Sequence, residues 1–227
     1  MLKKVLVIAL LLLLVFGTAT YALGATVYLD STVGGESKIV GETEDASLTN
    51  LTVAVPLDQW KIEFSAYHGS GDSLLSYGPI TVKPKLDGYS LKAGYALVKT
   101  AKFQLDLTAG LRQEDVKIVD IAEIGLLTGD IDTAVFGLDA AYQFTGKAAF
   151  NLTVDYGPSA EYKTGIFSID AENYLTYQAR FQYEVVKNLS LTAGYYNHSF
   201  DLGPNWIPSD LKKVSFSGAT LGLAYKF

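Results

Sequence analysis

Apolar and polar side chains alternate at every second position through most of the chain after residue 25. One of the clearest segments alternates Ala148, Phe150, Leu152, Val154 and Tyr156 with Asn151, Thr153 and Asp155. Because successive side chains of a β-strand point to opposite faces, a period of two predicts strands. Segments of about ten such residues, separated by turn residues, are typical of strands that cross a membrane in a β-barrel.

The connections between these segments alternate in length. Short links fall at residues 57–59, 99–101, 145–146 and 187–188, and longer polar stretches at 35–45, 70–86, 115–130, 159–171 and 202–211. Short turns on one side and longer loops on the other are typical of barrels with both ends on the periplasmic side. The pattern predicts an all-β fold, a closed antiparallel up-and-down transmembrane barrel with strands at 25–34, 46–57, 60–69, 87–98, 102–114, 131–145, 147–158, 172–186, 188–201 and 212–227. This count is ten, and eight remains an alternative because the first two segments alternate least clearly.

The apolar face of each predicted strand is assigned to the membrane and the polar face to the interior of the barrel. Many residues on the polar face are glycine or alanine, which suit a crowded interior. Aromatic residues lie near the strand ends on the apolar face, namely Trp60, Phe103, Phe144, Tyr183, Tyr225 and Phe227 toward the short links and Tyr89 and Tyr156 toward the longer loops. Aromatic residues at both interfaces are typical of transmembrane barrels, whereas a soluble barrel would place its polar face outside.

The first residues of the chain form a different pattern. Lys3 and Lys4 precede an unbroken apolar run from Val5 to Phe16, and small residues follow it. This order is typical of a secretory signal peptide, and the run is shorter than the roughly 20 residues that a membrane-spanning helix needs. We therefore predict a signal peptide at 1–24 and a single barrel domain at 25–227.

The last predicted strand carries a recognisable ending. Gly222, Tyr225 and Phe227 form a glycine–aromatic–aromatic pattern that resembles the targeting signal of bacterial outer-membrane β-barrels. The hairpin of 191–196 and 214–227 also resembles the closing hairpin of small outer-membrane barrels of the outer-membrane protein A and X type, which usually have eight strands. The resemblance implies location in the bacterial outer membrane, with outer-membrane lipid and the insertion machinery as partners.

Composition excludes several classes of function. The chain has 227 residues, a net charge of −6 and a pI near 4.9, so a nucleic-acid partner is not expected. It contains no cysteine and only two histidines, His68 and His198, so no common metal-binding or cofactor-binding motif is present. We expect neither a metal nor a cofactor.

Function therefore has to be sought in the lumen. The charged residues predicted to face inward are Lys61, Glu63, Lys92, Asp106, Arg112, Asp139, Asp155, Arg180 and Glu184, with Glu114 and Lys226 on the same face. Unpaired buried charge is costly, so we expect ion pairs, with Lys92 between acidic partners and Arg180 reached by Asp155 or Glu184. A barrel of about ten strands is much narrower than the 16-strand porins that carry wide aqueous channels.

These observations favour a non-enzymatic outer-membrane barrel with a structural or interaction role and at most narrow passive permeability. A small-solute pore is one alternative. The other is an enzyme acting on lipid or peptide at the extracellular rim, for which His198, Asp201 and the 115–132 loop are the candidates. The pattern identifies no solute, extracellular partner or oligomeric state.

Overall fold

The computed structural model describes residues 24–39, 42–71, 75–77, 80–121, 127–158, 160–164, 168–202 and 213–227. Within these ranges every regular element is a strand. The strands are β1 (Thr26–Ile39), β2 (Glu42–Leu57), β3 (Trp60–Gly71), β4 (Leu75–Tyr77), β5 (Ile80–Lys99), β6 (Phe103–Ile121), β7 (Leu127–Gln143), β8 (Ala148–Gly157), β9 (Ala160–Thr164), β10 (Ser168–Val186), β11 (Leu189–Leu202) and β12 (Lys213–Lys226). Residues 1–23 of the predicted signal peptide lie outside the described ranges.

These strands occupy ten positions around a closed antiparallel barrel. β8 and β9 both pair with β7 and β10, so they are successive pieces of one wall strand, and β4 pairs with β5 outside the ring of wall strands. The barrel closes where β12 pairs with β1, with Lys226 opposite Thr26. The ten-strand prediction is therefore confirmed and the eight-strand alternative is excluded.

The short connections lie at one end of the barrel. The first residue of β1 and the last residue of β12 lie at the same end. Asp58 and Asn188, in two of these turns, adopt positive φ angles of 56° and 68°. Aspartate and asparagine tolerate this left-handed conformation better than most residues. In the other two turns the hydroxyls of Thr100 and Thr145 accept hydrogen bonds from backbone amides two and three residues later. Local side-chain chemistry thus makes each turn tight.

A belt of exposed apolar side chains surrounds the barrel. Leu111 is 70% exposed and Leu107 is 52% exposed, although both lie in the middle of a regular strand. The belt continues around the wall through Leu29, Ile62, Leu91, Phe136, Leu138, Leu152, Phe181, Leu191, Leu221 and Leu223. Aromatic pairs border it at the short-turn end, namely Trp60 with Tyr95, Tyr142 with Phe144, and Tyr225 with Phe227. A surface of this kind suits hydrocarbon, not water.

The strands continue beyond the belt at the end opposite the short turns. We call this extension the collar; it comprises residues 36–39, 42–48, 67–71, 80–88, 113–121, 127–133, 160–164, 168–172, 198–202 and 213–217. The predicted strand ends at 34, 46, 87, 114, 131 and 172 were therefore wrong, because most of the stretches taken for loops are strand.

The polarity of the two faces is exchanged in the collar. On β6, Leu107 and Leu111 face outward in the belt, whereas Asp115 and Lys117 face outward in the collar. Val116 points inward there and is 1% exposed. The alternation keeps its phase, but apolar residues move from the outside to the inside. The collar is built like a water-soluble barrel, with a polar exterior and an apolar core.

The apolar core of the collar fills the interior of the barrel at that end. Its side chains are almost completely buried and pack against one another in a single cluster: Leu48, Leu86, Val116, Ile131, Val135, Phe200, Val214 and Phe216.

No helix in the described part of the chain is long and apolar enough to cross a membrane.

Candidate functional site

The lumen at the level of the belt is polar and contains the charged residues that alternation predicts there. All of the predicted lumen residues except Glu114, Glu184 and Lys226 line a cavity of about 230 Å³. Glu184 lines a second cavity of about 430 Å³ at the short-turn end, together with Lys226. The candidate functional site is therefore the polar interior between the short turns and the collar core.

Lysine side chains from β3 and β5 each lie between two carboxylates. Lys61 Nζ lies 2.5 Å from Asp139 Oδ2 and 3.3 Å from Asp106 Oδ2. Because these carboxylates come from β6 and β7, the lysine reaches across the lumen instead of along the wall. The contact joins strands that are not neighbours and fills the interior between them.

Lys92 forms a second bridge of the same kind and is almost fully buried. Its Nζ lies 3.0 Å from Glu63 Oε1 and 3.1 Å from Asp155 Oδ2. Asp155 also accepts a hydrogen bond of 3.2 Å from the guanidinium of Arg112. Lys92 thus lies between acidic partners, and Asp155 connects its bridge to the upper part of the lumen.

Arg180 pairs with Asp30, and not with the expected Asp155 or Glu184. The Arg180 guanidinium donates to Asp30 Oδ2 and lies 4.2 Å from the ring centroid of Tyr28. Asp30 also accepts a hydrogen bond of 2.7 Å from the Thr192 hydroxyl. Asp30 was missed among the lumen residues, although it lies on the same strand face as Tyr28 and the period of two could have identified it.

A cluster of polar side chains lies between this network and the collar core. Glu114 is fully buried, and its Oε1 accepts hydrogen bonds from the hydroxyls of Tyr67 and Tyr174. Its Oε2 lies 3.4 Å from Nε2 of His198, which is also fully buried. Both tyrosines and the histidine are held against Glu114, so the cluster lies in the lumen directly below the collar core.

Arg112 connects this cluster to the network beneath it. Its guanidinium donates hydrogen bonds of 2.8 Å to the Tyr174 hydroxyl and 2.6 Å to the Thr176 hydroxyl. The same guanidinium lies 5.6 Å from the ring centroid of Tyr67 and 5.3 Å from that of Tyr174. Such a cation between aromatic rings is favourable where water is excluded.

The suggested catalytic residues do not meet. His198 points into the lumen, where its Nδ1 shares a 3.0 Å hydrogen bond with Thr176. Asp201 belongs to the opposite face of β11 and accepts from the Asn173 amide at 2.9 Å. Most of the 115–132 loop is strand, in β6 and β7, and residues 122–126 lie outside the described ranges. Across the described strands, no group of three or more His, Cys, Asp or Glu residues could hold a metal ion.

An antiparallel barrel with an even strand number, an apolar belt and a polar lumen pairs all its wall strands and presents a mainly apolar surface to hydrocarbon. The protein has the architecture of an outer-membrane β-barrel. In such barrels the short turns face the periplasm and the longer connections face outside. We therefore assign the short-turn end to the periplasm and the collar to the extracellular side.

No protein-family model and no curated protein matches the chain. Solved structures that resemble it include Neisserial surface protein A, 14% identical over 90% of this chain and 97% of its own, with a TM-score of 0.40. An outer membrane channel from Pseudomonas putida F1 is 11% identical over 90% and 96%, with a TM-score of 0.49. The attachment invasion locus protein Ail of Yersinia pestis is 15% identical over 90% and 99%, with a TM-score of 0.39. These likenesses concern the fold alone.

Buried charged residues of the barrel lie directly across the sheet from glycine. The pairs are Lys61 with Gly94, Lys92 with Gly110, Asp155 with Gly137, Arg180 with Gly194, Asp30 with Gly222, and Glu114 with Gly88. A side chain at Gly194 would place its Cβ 2.1 Å from the carbonyl oxygen of Ala179, and one at Gly110 would lie 2.2 Å from that of Leu91. The glycines therefore leave the space in which the long charged side chains turn into the lumen.

We expect Gly194→Ala to lower the free energy of unfolding by about 1–3 kcal/mol, because the added methyl group overpacks the wall beside Arg180. Urea unfolding in lipid vesicles measures this loss. Gly146→Ala is the control, because a Cβ at Gly146 has no atom within 4 Å. Equal stability of the two variants would contradict the role assigned to the glycine.

Three aspartates form a row on the outer face of the collar. Asp87 lies opposite Asp115, and Asp115 lies opposite Asp130 on the next strand. Partial burial, together with Asp130 and Asp87, raises the pKa of Asp115 above its ordinary value. His68 Nδ1 lies 2.5 Å from Asp87 Oδ1 at one end of the row. This face suits water and marks the extracellular limit of the belt.

Proposed function

We propose that this outer-membrane barrel is a structural, non-enzymatic component of the envelope whose lumen is closed to the passage of solutes. One observation carries the proposal: the collar core and the Glu114 cluster fill the lumen in succession. Phe200, Val214 and Phe216 of the collar core are at most 1% exposed. A solute would have to displace these side chains before it could pass.

The charged network below the collar supports the same function. Lys61, Lys92, Arg112 and Arg180 each contact at least one carboxylate. Removing one member of such a buried pair leaves an uncompensated charge, so the network resists opening. Its contacts join opposite walls and hold the barrel in one shape. A narrow pore is the second candidate, favoured by the two polar cavities beneath the Glu114 cluster.

The proposal includes the route by which the barrel reaches the membrane. Gly222, Tyr225 and Phe227 lie on or beside the last wall strand, and the Tyr225 and Phe227 rings pack edge to face at 4.9 Å. Tyr225 faces outward at the periplasmic border of the belt. An insertion machinery acting from the periplasm would meet these aromatic groups first, and outer-membrane lipid would then surround the belt.

Planar-bilayer recording tests the proposed function. We expect the wild-type barrel, inserted at a density checked by protease protection, to show no steady conductance. Removing two rings from the collar core in Phe200→Ala with Phe216→Ala should produce a small leak, because it opens the narrowest part of the lumen. The matched control is Phe136→Ala, which removes a ring from the outer surface of the belt. A large, steady and ion-selective wild-type conductance would overturn the closed-barrel proposal in favour of the pore.

A further inference from the structure

The cavity at the periplasmic mouth is lined by an excess of lysines, which a structural role for the lumen does not explain. Its volume of about 430 Å³ falls within the roughly 300–1,000 Å³ of small-molecule sites. We call it the vestibule. Its charged lining residues are Lys102, Lys147, Lys226 and Glu184, so cations outnumber anions there. In the cavity above it, four acidic residues balance four basic ones.

The vestibule lysines differ from the lumen lysines in their partners. Lys61 and Lys92 each lie between carboxylates, as described above. Among the described residues, none forms an ion pair with Lys102, Lys147 or Lys226, and all three lysines are exposed. Three cationic groups therefore surround the mouth, and none of them is held in an ion pair with a described residue.

The carboxylate of the vestibule is already engaged. Glu184 Oε1 accepts a hydrogen bond of 2.9 Å from the backbone amide of Asn188, which holds it against the turn. The remaining polar lining is mainly amide and hydroxyl, from residues such as Gln143, Gln182 and Thr100. Such a lining supplies donors to an incoming anion and repels it little.

A buried donor without an acceptor lies where the two cavities meet. Asn151 lines both of them, and its Nδ2 is buried and has no hydrogen-bond partner. A buried amide donor without a partner is unfavourable, and rotation of the Asn151 side chain toward the vestibule would let an anionic oxygen satisfy it. This observation is independent of the lysines and indicates the same ligand chemistry.

We propose that the periplasmic vestibule binds a small multivalent anion, a polycarboxylate or a polyphosphate. Its anionic groups contact Lys102, Lys147 and Lys226 at the mouth, and one oxygen accepts from Asn151 at the floor. Charge-assisted hydrogen bonds of this kind are stronger than neutral ones. A positive cleft with low-dielectric walls also concentrates anions, even though the whole chain carries a net charge of −6. Binding requires no passage through the collar and so extends beyond the structural role.

Isothermal titration of the refolded barrel in zwitterionic bicelles tests this site, with citrate and tripolyphosphate as separate probes and acetate as the monovalent comparison. We expect saturable binding of at least one multivalent probe, and the stronger probe identifies carboxylate or phosphate as the preferred group. The triple variant Lys102→Gln, Lys147→Gln and Lys226→Gln should weaken binding by about tenfold, given the modest energy of each exposed ionic contact. Asn151→Leu should also weaken binding.

A matched triple variant, Lys38→Gln, Lys85→Gln and Lys213→Gln, removes the same total charge from exposed lysines of the collar, at the opposite end of the barrel. It should bind within about twofold of wild type, since distant exposed charges are screened by salt. Absence of saturable binding to wild type, or equal weakening in the two triple variants, would overturn the proposal. Neither result bears on conductance, so the closed-barrel function and the vestibule site fail separately.

Discussion

Replacing Arg180 by alanine is expected to lower the free energy of unfolding by about 3–5 kcal/mol, because it leaves Asp30 buried without its cation. Asp30 is 2% exposed, so water cannot replace the guanidinium fully. The substitution also removes the cation above the Tyr28 ring. Equilibrium urea unfolding in lipid vesicles, followed by tyrosine and tryptophan fluorescence, measures the loss.

The double variant Arg180→Met with Asp30→Leu separates the unpaired charge from the lost packing. Replacing both members of a buried pair by apolar residues of similar size is often nearly neutral. We therefore expect the double variant to recover most of the stability that Arg180→Ala loses. A loss below about 1 kcal/mol for the single variant, typical of a surface ion pair, would contradict the buried pair.

Arginine in place of Leu152 is expected to destabilise the barrel by about 2–4 kcal/mol, the cost of an arginine facing the middle of the bilayer. Leu152 lies near the centre of β8 and belongs to the apolar belt. The substitution therefore places a guanidinium in hydrocarbon. Refolding and unfolding in phosphatidylcholine vesicles measure the difference from wild type.

Thr153→Arg, at the next position, is the matched control. Thr153 faces the 230 Å³ cavity and lies beside Asp139, whose Oδ1 is buried without a partner. An arginine there gains a carboxylate partner, so we expect less than half the loss caused by Leu152→Arg. Thr108 is less suitable as a control, because it is 2% exposed in a crowded part of the lumen. Equal losses for Leu152→Arg and Thr153→Arg would show that inside and outside are wrongly assigned.

The belt could be predicted from the sequence, whereas the collar could not. Leu107 is apolar, as a residue facing the membrane should be, and Thr108 is polar, as a residue facing the lumen should be. A period of two assigns each of them to its face. Beyond residue 114 the same period continues, but the outward positions are polar, as at Asp115 and Lys117. A polar run of this kind resembles a loop unless the exchange of faces is recognised. The ends of the strands were therefore missed although the strands themselves were identified.

The lumen residues could be predicted, but most of their partners could not. Alternation shows that Arg180 faces inward, yet its partner Asp30 is 150 positions away in the chain. Which residues meet across the lumen depends on the tilt of the strands and on the register at closure. Both properties belong to the whole barrel and are absent from any single strand.

The exchange of polarity at the collar also affects how the protein stays in the membrane. Withdrawal toward the periplasm would draw the outer face of the collar, with Asp87, Asp115 and Asp130, through the hydrocarbon layer. Ionised side chains are expensive there. Protonating the three aspartates would remove their charge, but the polar side chains of the collar would still have to enter lipid. The collar therefore opposes withdrawal of the inserted barrel toward the periplasm.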